Sequence, residues 1–117
     1  MKKSEIRKLD IQWSAKVKEV AGYKCEHCLI QGVRLESAHI IGRVHRTTRW
    51  GCWIDDKYDF NGMCLCVDCH QHYDQHKAKH DPIRRNVIGE ERYQKLCQQE
   101  NVIAKHQEYE EIKEWLK

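Results

Sequence analysis

The chain has 117 residues, a net charge of +3 and 33% charged residues. This length is sufficient for one domain with a modest hydrophobic core, which a bound metal would help to stabilise. We see no signal peptide and no apolar run long enough to span a membrane, so we expect a cytoplasmic protein without a membrane partner.

An N-terminal helix over about residues 4–21 is predicted by apolar residues at helical spacing, with Gly22 ending the run. Ser4 and Asp10 are alternative N-caps for this helix. The apolar positions of this helix are Ile6, Leu9, Trp13, Val17 and Val20.

A core over about residues 23–80 follows, with the short, interrupted patterns of hairpins and loops. Its best strand is Ser37–Ile41, the stretch from Trp50 to Phe60 is predicted to be a loop, and a helix is expected from about Asp68 to Lys79. C-terminal helices are predicted over about residues 89–116. We therefore expect a single α+β domain over residues 1–117, with helices flanking the core.

Two Cys-x-x-Cys pairs are the strongest chemical signal: Cys25 with Cys28, and Cys66 with Cys69. This spacing lets both thiolates of a pair bind one ion, and two pairs complete a closed tetrahedral zinc site. The alternative is a set of buried free cysteines. The other three of the seven cysteines, Cys52, Cys64 and Cys97, are interpreted as small hydrophobic residues.

A short basic segment contains Arg43, Arg46 and Arg49 with no acidic residue among them, whereas residues 108–114 are rich in glutamate. Arginine suits bidentate contacts with phosphate, so we predict that these three side chains bind a nucleic-acid backbone. The alternative is a solvated loop.

Between the cysteine pairs lies Ser37-Ala38-His39-Ile40-Ile41-Gly42-Arg43, and the second pair lies in Asn61-Gly62-Met63-Cys64-Leu65-Cys66-Val67-Asp68-Cys69-His70. Here the chain resembles the HNH endonucleases, members of the ββα-metal (His-Me finger) group, in which the second knuckle reads Asn-x-x-x-Leu-Cys-x-x-Cys-His. The resemblance extends over roughly residues 9–96 to small phage-type HNH proteins. The outer motifs that carry it are Leu9-Asp10 with Trp13-Ser14, Arg49-Trp50, and Gly89 to Leu96.

The resemblance implies a role for each residue of the constellation. His39 matches the general base, His70 matches a ligand of a catalytic divalent metal, and Asn61 matches the asparagine that fixes the loop, orients the base or binds metal. A neutral histidine near the physiological pH can take a proton from water, and a divalent cation stabilises the charge on the scissile phosphate.

One departure from the family concerns the residue before the base. Many members have Asp or His there as a second metal ligand, whereas this chain has Ala38. Asp74, one helical turn beyond His70, and Asn61 are the candidate substitutes. Ala38 is also compatible with weak or absent activity.

The resulting hypothesis is a metal-dependent HNH endonuclease that hydrolyses DNA phosphodiester bonds. It would contain structural Zn²⁺ and a catalytic Mg²⁺, Mn²⁺, Ni²⁺ or Zn²⁺ ion. The resemblance implies DNA as the partner, in a phage setting with other phage or recombination proteins. The alternatives are a non-catalytic zinc module that binds nucleic acid or protein, and a nuclease acting on RNA, since phosphate contacts do not identify the sugar.

Overall fold

The computed structural model describes residues 2–40, 49–54, 57–75, 87–100 and 109–117. Within these ranges the chain is α+β, as predicted, with helices on both sides of a small antiparallel sheet. The elements in chain order are α1 (Lys3–Val20), β1 (Leu35–Ala38), β2 (Gly51–Ile54), β3 (Lys57–Phe60), β4 (Met63–Cys66), α2 (Val67–Gln75), α3 (Glu90–Glu100) and α4 (Tyr109–Trp115).

Helix α1 begins one residue before Ser4, with Lys2 as its N-cap, so neither predicted cap has that role. The backbone N–H of Lys2 donates to Glu5 Oε1 at 2.8 Å, and this contact replaces a side-chain cap. Asp10 lies in the middle of the helix, where its carboxylate is available for tertiary contacts. The helix ends at Val20 with Ala21 as its C-cap, and the next residue, Gly22, adopts a left-handed φ of 69°.

The central sheet pairs β1 with β4 in antiparallel register, from Leu35 opposite Cys66 to Ala38 opposite Met63. All four residues of β4 are buried because helices cover both faces of the sheet. Cys64 contributes to a cluster with α1, whereas Met63 and Leu65 contribute to a cluster with α2 and α3. This two-sided burial explains the unbroken apolar run in β4. Since α2 starts directly after β4, the elements form a ββα arrangement.

A second two-stranded sheet lies where we predicted a loop. Strands β2 and β3 are antiparallel, with Gly51 opposite Phe60 and Ile54 opposite Lys57. The aromatic and β-branched residues of both strands favour extended backbone. Of the residues that suggested one long loop, Gly51 and Asp59 lie within the strands, and Asp55 and Asp56 come between the strands in the sequence.

Two hydrophobic clusters, one on each side of the central sheet, make up the core. The α1 side contains Leu9, Trp13, Val17, Trp50, Cys64, Ile112 and Leu116. The α2 side contains Cys25, Ala38, Ile40, Met63, Leu65, Cys66, Tyr73 and Leu96. Helix α4 is tied to α1, since Gln12 Nε2 donates to the carbonyl of Lys113 at 2.9 Å. Across the described ranges, no helix has both the length and the apolar character needed to cross a membrane.

Candidate functional site

The four cysteines of the two pairs converge in space. The Sγ atoms of Cys25, Cys28, Cys66 and Cys69 all lie within 4.8 Å of one another. The Cys28 and Cys66 sulfurs are 3.7 Å apart. Four thiolates around zinc with Zn–S bonds of about 2.3 Å have sulfur–sulfur distances of about 3.8 Å. The observed spacing therefore fits four ligands of one tetrahedral ion.

Backbone hydrogen bonds hold the first pair against the second. The N–H of Glu26 donates to the Cys64 carbonyl at 2.8 Å, and the N–H of Cys64 donates to Glu26 Oε2 at 2.7 Å. Leu29 has a left-handed φ of 66°, and its N–H donates to the Cys25 carbonyl at 2.9 Å. This turn brings Cys28 back toward Cys25, so that the knuckle presents two sulfur atoms to one point.

The electrostatics of the cluster also suit a cation. Burial opposes ionisation of Cys25, but backbone N–H donors of Cys28, Cys66 and His27 lower the pKa of its thiol to about 7. Burial and the neighbouring thiols raise the pKa of Cys69 well above its ordinary value. A divalent cation among the four sulfur atoms removes this conflict, because it stabilises every thiolate at once.

Cys64 and Cys97 lie outside the cluster. Cys64 is fully buried in the core, and burial together with the charge of Glu26 raises the pKa of its thiol to about 11. Cys97 is half-buried against the α2-side core. Both positions agree with their interpretation as small hydrophobic residues; the side chain of Cys52 lies outside the described residues.

A second polar group lies on α2, around His70. Its Nδ1 is 3.0 Å from Glu36 Oε1 on β1, and its Nε2 is 3.5 Å from Asp74 Oδ2 one turn further along the helix. When Nδ1 donates a hydrogen bond to Glu36, the ring is oriented with Nε2 toward the Asp74 carboxylate. The Asp74 side chain is 52% exposed, so this imidazole–carboxylate pair is open to solvent.

Ala38, the residue before the predicted base, is part of the hydrophobic core. Its side chain is 1% exposed and packs in the α2-side core. Glu36 lies two residues earlier on the same face of β1, and its carboxylate faces α2. Glu36 and Asp74 thus place one carboxylate next to each ring nitrogen of His70.

His39 lies just beyond β1 and is held from two sides. Its ring stacks on the indole of Trp13, with centroids 4.1 Å apart and an interplanar angle of 16°. The buried Tyr73 hydroxyl on α2 donates to the His39 carbonyl at 2.7 Å and to the Ile40 carbonyl at 3.1 Å. The helix that carries His70 thus fixes the backbone of His39, while α1 fixes its ring.

Asp10 connects α1 to the segment before β2. Arg49 donates to its carboxylate from Nε at 3.1 Å and from Nη2 at 2.7 Å, and Trp50 Nε1 donates at 2.8 Å. Burial raises the pKa of Asp10, but the hydrogen bonds from Arg49 and Trp50 and the positive charge of Arg49 outweigh burial and lower the pKa below its ordinary value. Asp10 is therefore an ionised anchor beside the stacked His39–Trp13 pair.

Asn61 is fully buried, and its backbone N–H donates to the Trp50 carbonyl at 3.1 Å. The following residue, Gly62, lies against α1 so closely that a Cβ would be 2.5 Å from Val17 Cγ2 and 2.8 Å from Trp13 Cζ2. Only glycine permits this approach. Asn61 is therefore held by the Trp50 backbone, and the Gly62 that follows it packs on Trp13, the residue on which His39 stacks.

The predicted phosphate-binding arginines are only partly described. Arg43 and Arg46 lie outside the described residues. Arg49 is described, and its Nε and Nη2 are both engaged by Asp10, with a side chain 21% exposed. Its contact with phosphate stays a prediction, whereas its structural contact with α1 is observed.

Asp10→Asn is expected to lower the free energy of unfolding by about 1–2 kcal/mol, because it weakens the charge-assisted hydrogen bonds from Arg49 and Trp50, which are only partly shielded from water. The folded-state pKa of Asp10 lies below its ordinary value of 3.8. Its stabilisation is therefore present above about pH 4 and is lost as the pH falls through the lowered pKa. Urea denaturation of both proteins at pH 7 and in acid would measure this. A difference that does not shrink in acid would contradict it.

Four supporting residues were not assigned these roles from the sequence. From the sequence, Trp13 is predicted as an apolar position of the N-terminal helix and Asp10 as an alternative N-cap, and no role is predicted for Glu36 or Tyr73. The available signal was the co-occurrence of the Leu9-Asp10 and Trp13-Ser14 opening with Arg49-Trp50. Asp10 joins these motifs directly, and Ser14 Oγ lies 3.0 Å from Ser37 Oγ on β1.

A family model of the HNH endonucleases matches residues 24–78 of the chain. The matched region contains the four-cysteine cluster, His39, Asn61, His70 and Asp74. No curated protein and no solved structure matches the chain.

Proposed function

We propose that the protein is a metal-dependent endonuclease that hydrolyses phosphodiester bonds of DNA, in keeping with the match of residues 24–78 to a family model of the HNH endonucleases. The observation that carries this proposal is the position of His70 between the carboxylates of Glu36 and Asp74, on the helix that also holds the backbone of His39. A purely structural zinc module requires no such open imidazole–carboxylate pair.

The four-cysteine cluster is proposed to hold structural Zn²⁺. Thiolate ligands favour zinc among the common divalent ions, and four protein ligands leave no position for water or substrate. The cluster ties the first knuckle to the end of β4 and the first turn of α2. It therefore fixes the helix on which His70 and Asp74 lie, without taking part in hydrolysis.

The catalytic divalent metal is proposed to bind His70 Nε2 and an Asp74 carboxylate oxygen. When bound, such an ion supplies positive charge that polarises the scissile phosphate and stabilises the leaving oxygen. Glu36 pairs with Nδ1 and so orients the ring with Nε2 toward Asp74, as binding of both groups to one ion requires. The exposure of Asp74 leaves room for substrate and water in the remaining positions.

His39 is proposed as the general base. The neutral imidazole takes the proton of the attacking water, and the imidazolium that results is stabilised by the ionised Asp10 and by the electron-rich face of Trp13. Stacking restricts rotation of the ring, so the proton-accepting nitrogen keeps one direction. Asn61 is proposed to hold the preceding connection in place, and Arg43, Arg46 and Arg49 to contact phosphates near the cut.

A non-catalytic module is the second candidate, and the burial of Ala38 is the observation that favours it. A chain with apolar packing at the usual ligand position could retain the zinc and the DNA contacts while losing hydrolysis. The His70–Asp74 pair distinguishes the two candidates, since only the nuclease requires it to bind a divalent metal.

His70→Ala is expected to weaken binding of the catalytic metal and to lower cleavage, with partial recovery at high metal concentration. The affinity for Mn²⁺, measured by isothermal titration calorimetry on zinc-loaded protein, should fall at least 10-fold, and Glu36→Ala should lower it roughly 10- to 100-fold, as expected for a residue that orients a ligand. His72→Ala is the matched control, because His72 is an exposed histidine on the same helix. Equal Mn²⁺ affinity in all variants would contradict the assignment.

A further inference from the structure

An open groove of about 550 Å³ runs along α1, next to the face that packs on the core. Its walls combine two cations, two aliphatic side chains and one aromatic ring. The residues that line it are Arg7, Asp10, Ile11, Ser14, Ala15, Lys18 and Tyr23. None of the roles assigned to the proposed active site explains this combination.

The charge of the groove is positive where a ligand can reach it. Arg7 and Lys18 are 11 residues apart on one helix, which places them about 16 Å apart along the axis. Asp10 is the acidic residue among the lining side chains, and its carboxylate accepts hydrogen bonds from Arg49 and Trp50. A polyanion along the groove would therefore meet two cations and one carboxylate that is already neutralised.

The apolar side chains of the groove are exposed to solvent. Tyr23 is 62% exposed and Ile11 is 63% exposed, although both are large enough to belong in a core. Tyr23 lies three residues beyond the end of α1 with a left-handed φ of 57°, and its backbone N–H donates to the Lys18 carbonyl at 3.0 Å. This turn holds the tyrosine at the Lys18 end of the groove, with an exposed ring on which a planar ligand can stack.

The groove is lined by residues of α1, the helix that also supports the predicted base, His39. Ser14 lines the groove and contacts Ser37 on β1, two residues before His39. Trp13, the neighbour of Ser14, stacks on His39. A ligand in the groove would therefore contact the same helix, α1, that supports the predicted base.

We propose that this groove binds a single-stranded segment of the nucleic acid that flanks the scissile phosphate. Arg7 and Lys18 contact its phosphates, and an unpaired base stacks on Tyr23. A groove of this composition suits a single strand rather than a duplex, because duplex bases already stack on each other and present no free face to a tyrosine. The inference rests on the proposed nuclease function and names its substrate class as DNA with an unpaired flank.

The test is fluorescence anisotropy with a labelled 12-nucleotide single strand and the same sequence as a duplex, using full-length protein that carries His39→Ala and no added divalent metal. Tyr23→Ala should weaken binding to the single strand roughly 5- to 100-fold, the range for loss of one stacked base, whereas Tyr23→Phe should retain it. Arg7→Ala and Lys18→Ala should each reduce the slope of log affinity against log salt by about one.

Lys95→Ala and Leu29→Ala are the matched controls, a cation on α3 and an exposed apolar residue of the first knuckle, and both should bind as the parent does. Unchanged affinity for the single strand in Tyr23→Ala would overturn the proposal, as would equal losses for single strand and duplex. Binding is measured without cleavage, so these losses, together with a parent protein of intact His39 that fails to cut DNA with any added metal, would refute the nuclease function and leave the groove assignment intact.

Discussion

Cys25→Ser is expected to strip the metal from the four-cysteine cluster and to unfold the chain. The cluster joins the first knuckle to the start of α2 across some 40 residues, and Cys25 is itself fully buried in the core. Binding of structural zinc to such sites releases about 10–16 kcal/mol, more than the whole stability of a small domain. Elemental analysis and circular dichroism of the purified variant would measure both losses.

Cys97→Ser is the matched control, because Cys97 is a half-buried cysteine outside the cluster. It should keep one zinc per chain and a cooperative unfolding transition. A folded Cys25→Ser protein with full metal content would contradict the assignment of this cysteine. A folded parent protein purified without chelator that contains no metal would contradict the structural role of the cluster as a whole.

His39→Ala is expected to lower the rate of DNA cleavage by roughly 10²- to 10⁴-fold, the usual range for loss of a general base. The zinc content and the affinity for DNA should be unchanged, because neither uses the imidazole. Single-turnover kinetics at saturating protein would measure the chemical step directly. His72→Ala, which removes an exposed histidine of α2, should cut at the parent rate.

A comparison with Trp13→Phe separates the role of the His39 imidazole from that of the Trp13 side chain on which it stacks. Phenylalanine keeps an aromatic face against His39 but lacks the indole's extent, so cleavage should fall much less than in His39→Ala. If His39→Ala cuts as fast as the parent protein, the base is another group and the proposed mechanism is wrong.

The sequence predicted the α+β class and the site features that depend on short spacing. Two Cys-x-x-Cys pairs identify a cluster whatever the path of the chain between them, and helical periodicity identifies α1 from Leu9, Trp13 and Val17. The β2–β3 pair was missed, because Gly51 and the aspartates of that stretch are equally typical of loops. Local composition does not distinguish one long loop from two short strands, whose pairing depends on tertiary contacts.

Contacts between residues distant in sequence could not be predicted from one chain. The Glu36–His70 hydrogen bond joins residues 34 positions apart, and Asp10 accepts hydrogen bonds from Arg49 and Trp50 some 40 positions away. Each depends on the antiparallel register of β1 with β4 or on the packing of α1 across the sheet. The resemblance identified the motifs containing Asp10 and Arg49 but not the bond between them.

The most direct test of the central claim is cleavage of supercoiled plasmid by the full-length, zinc-loaded protein, with Mg²⁺, Mn²⁺, Ni²⁺ or Zn²⁺ added in turn. We predict conversion to nicked or linear DNA with at least one of these ions, no conversion without added metal, and loss of the activity in both His39→Ala and His70→Ala. Intact plasmid with every ion, from protein that is folded and binds DNA, would contradict the nuclease assignment and identify the chain as a binding module.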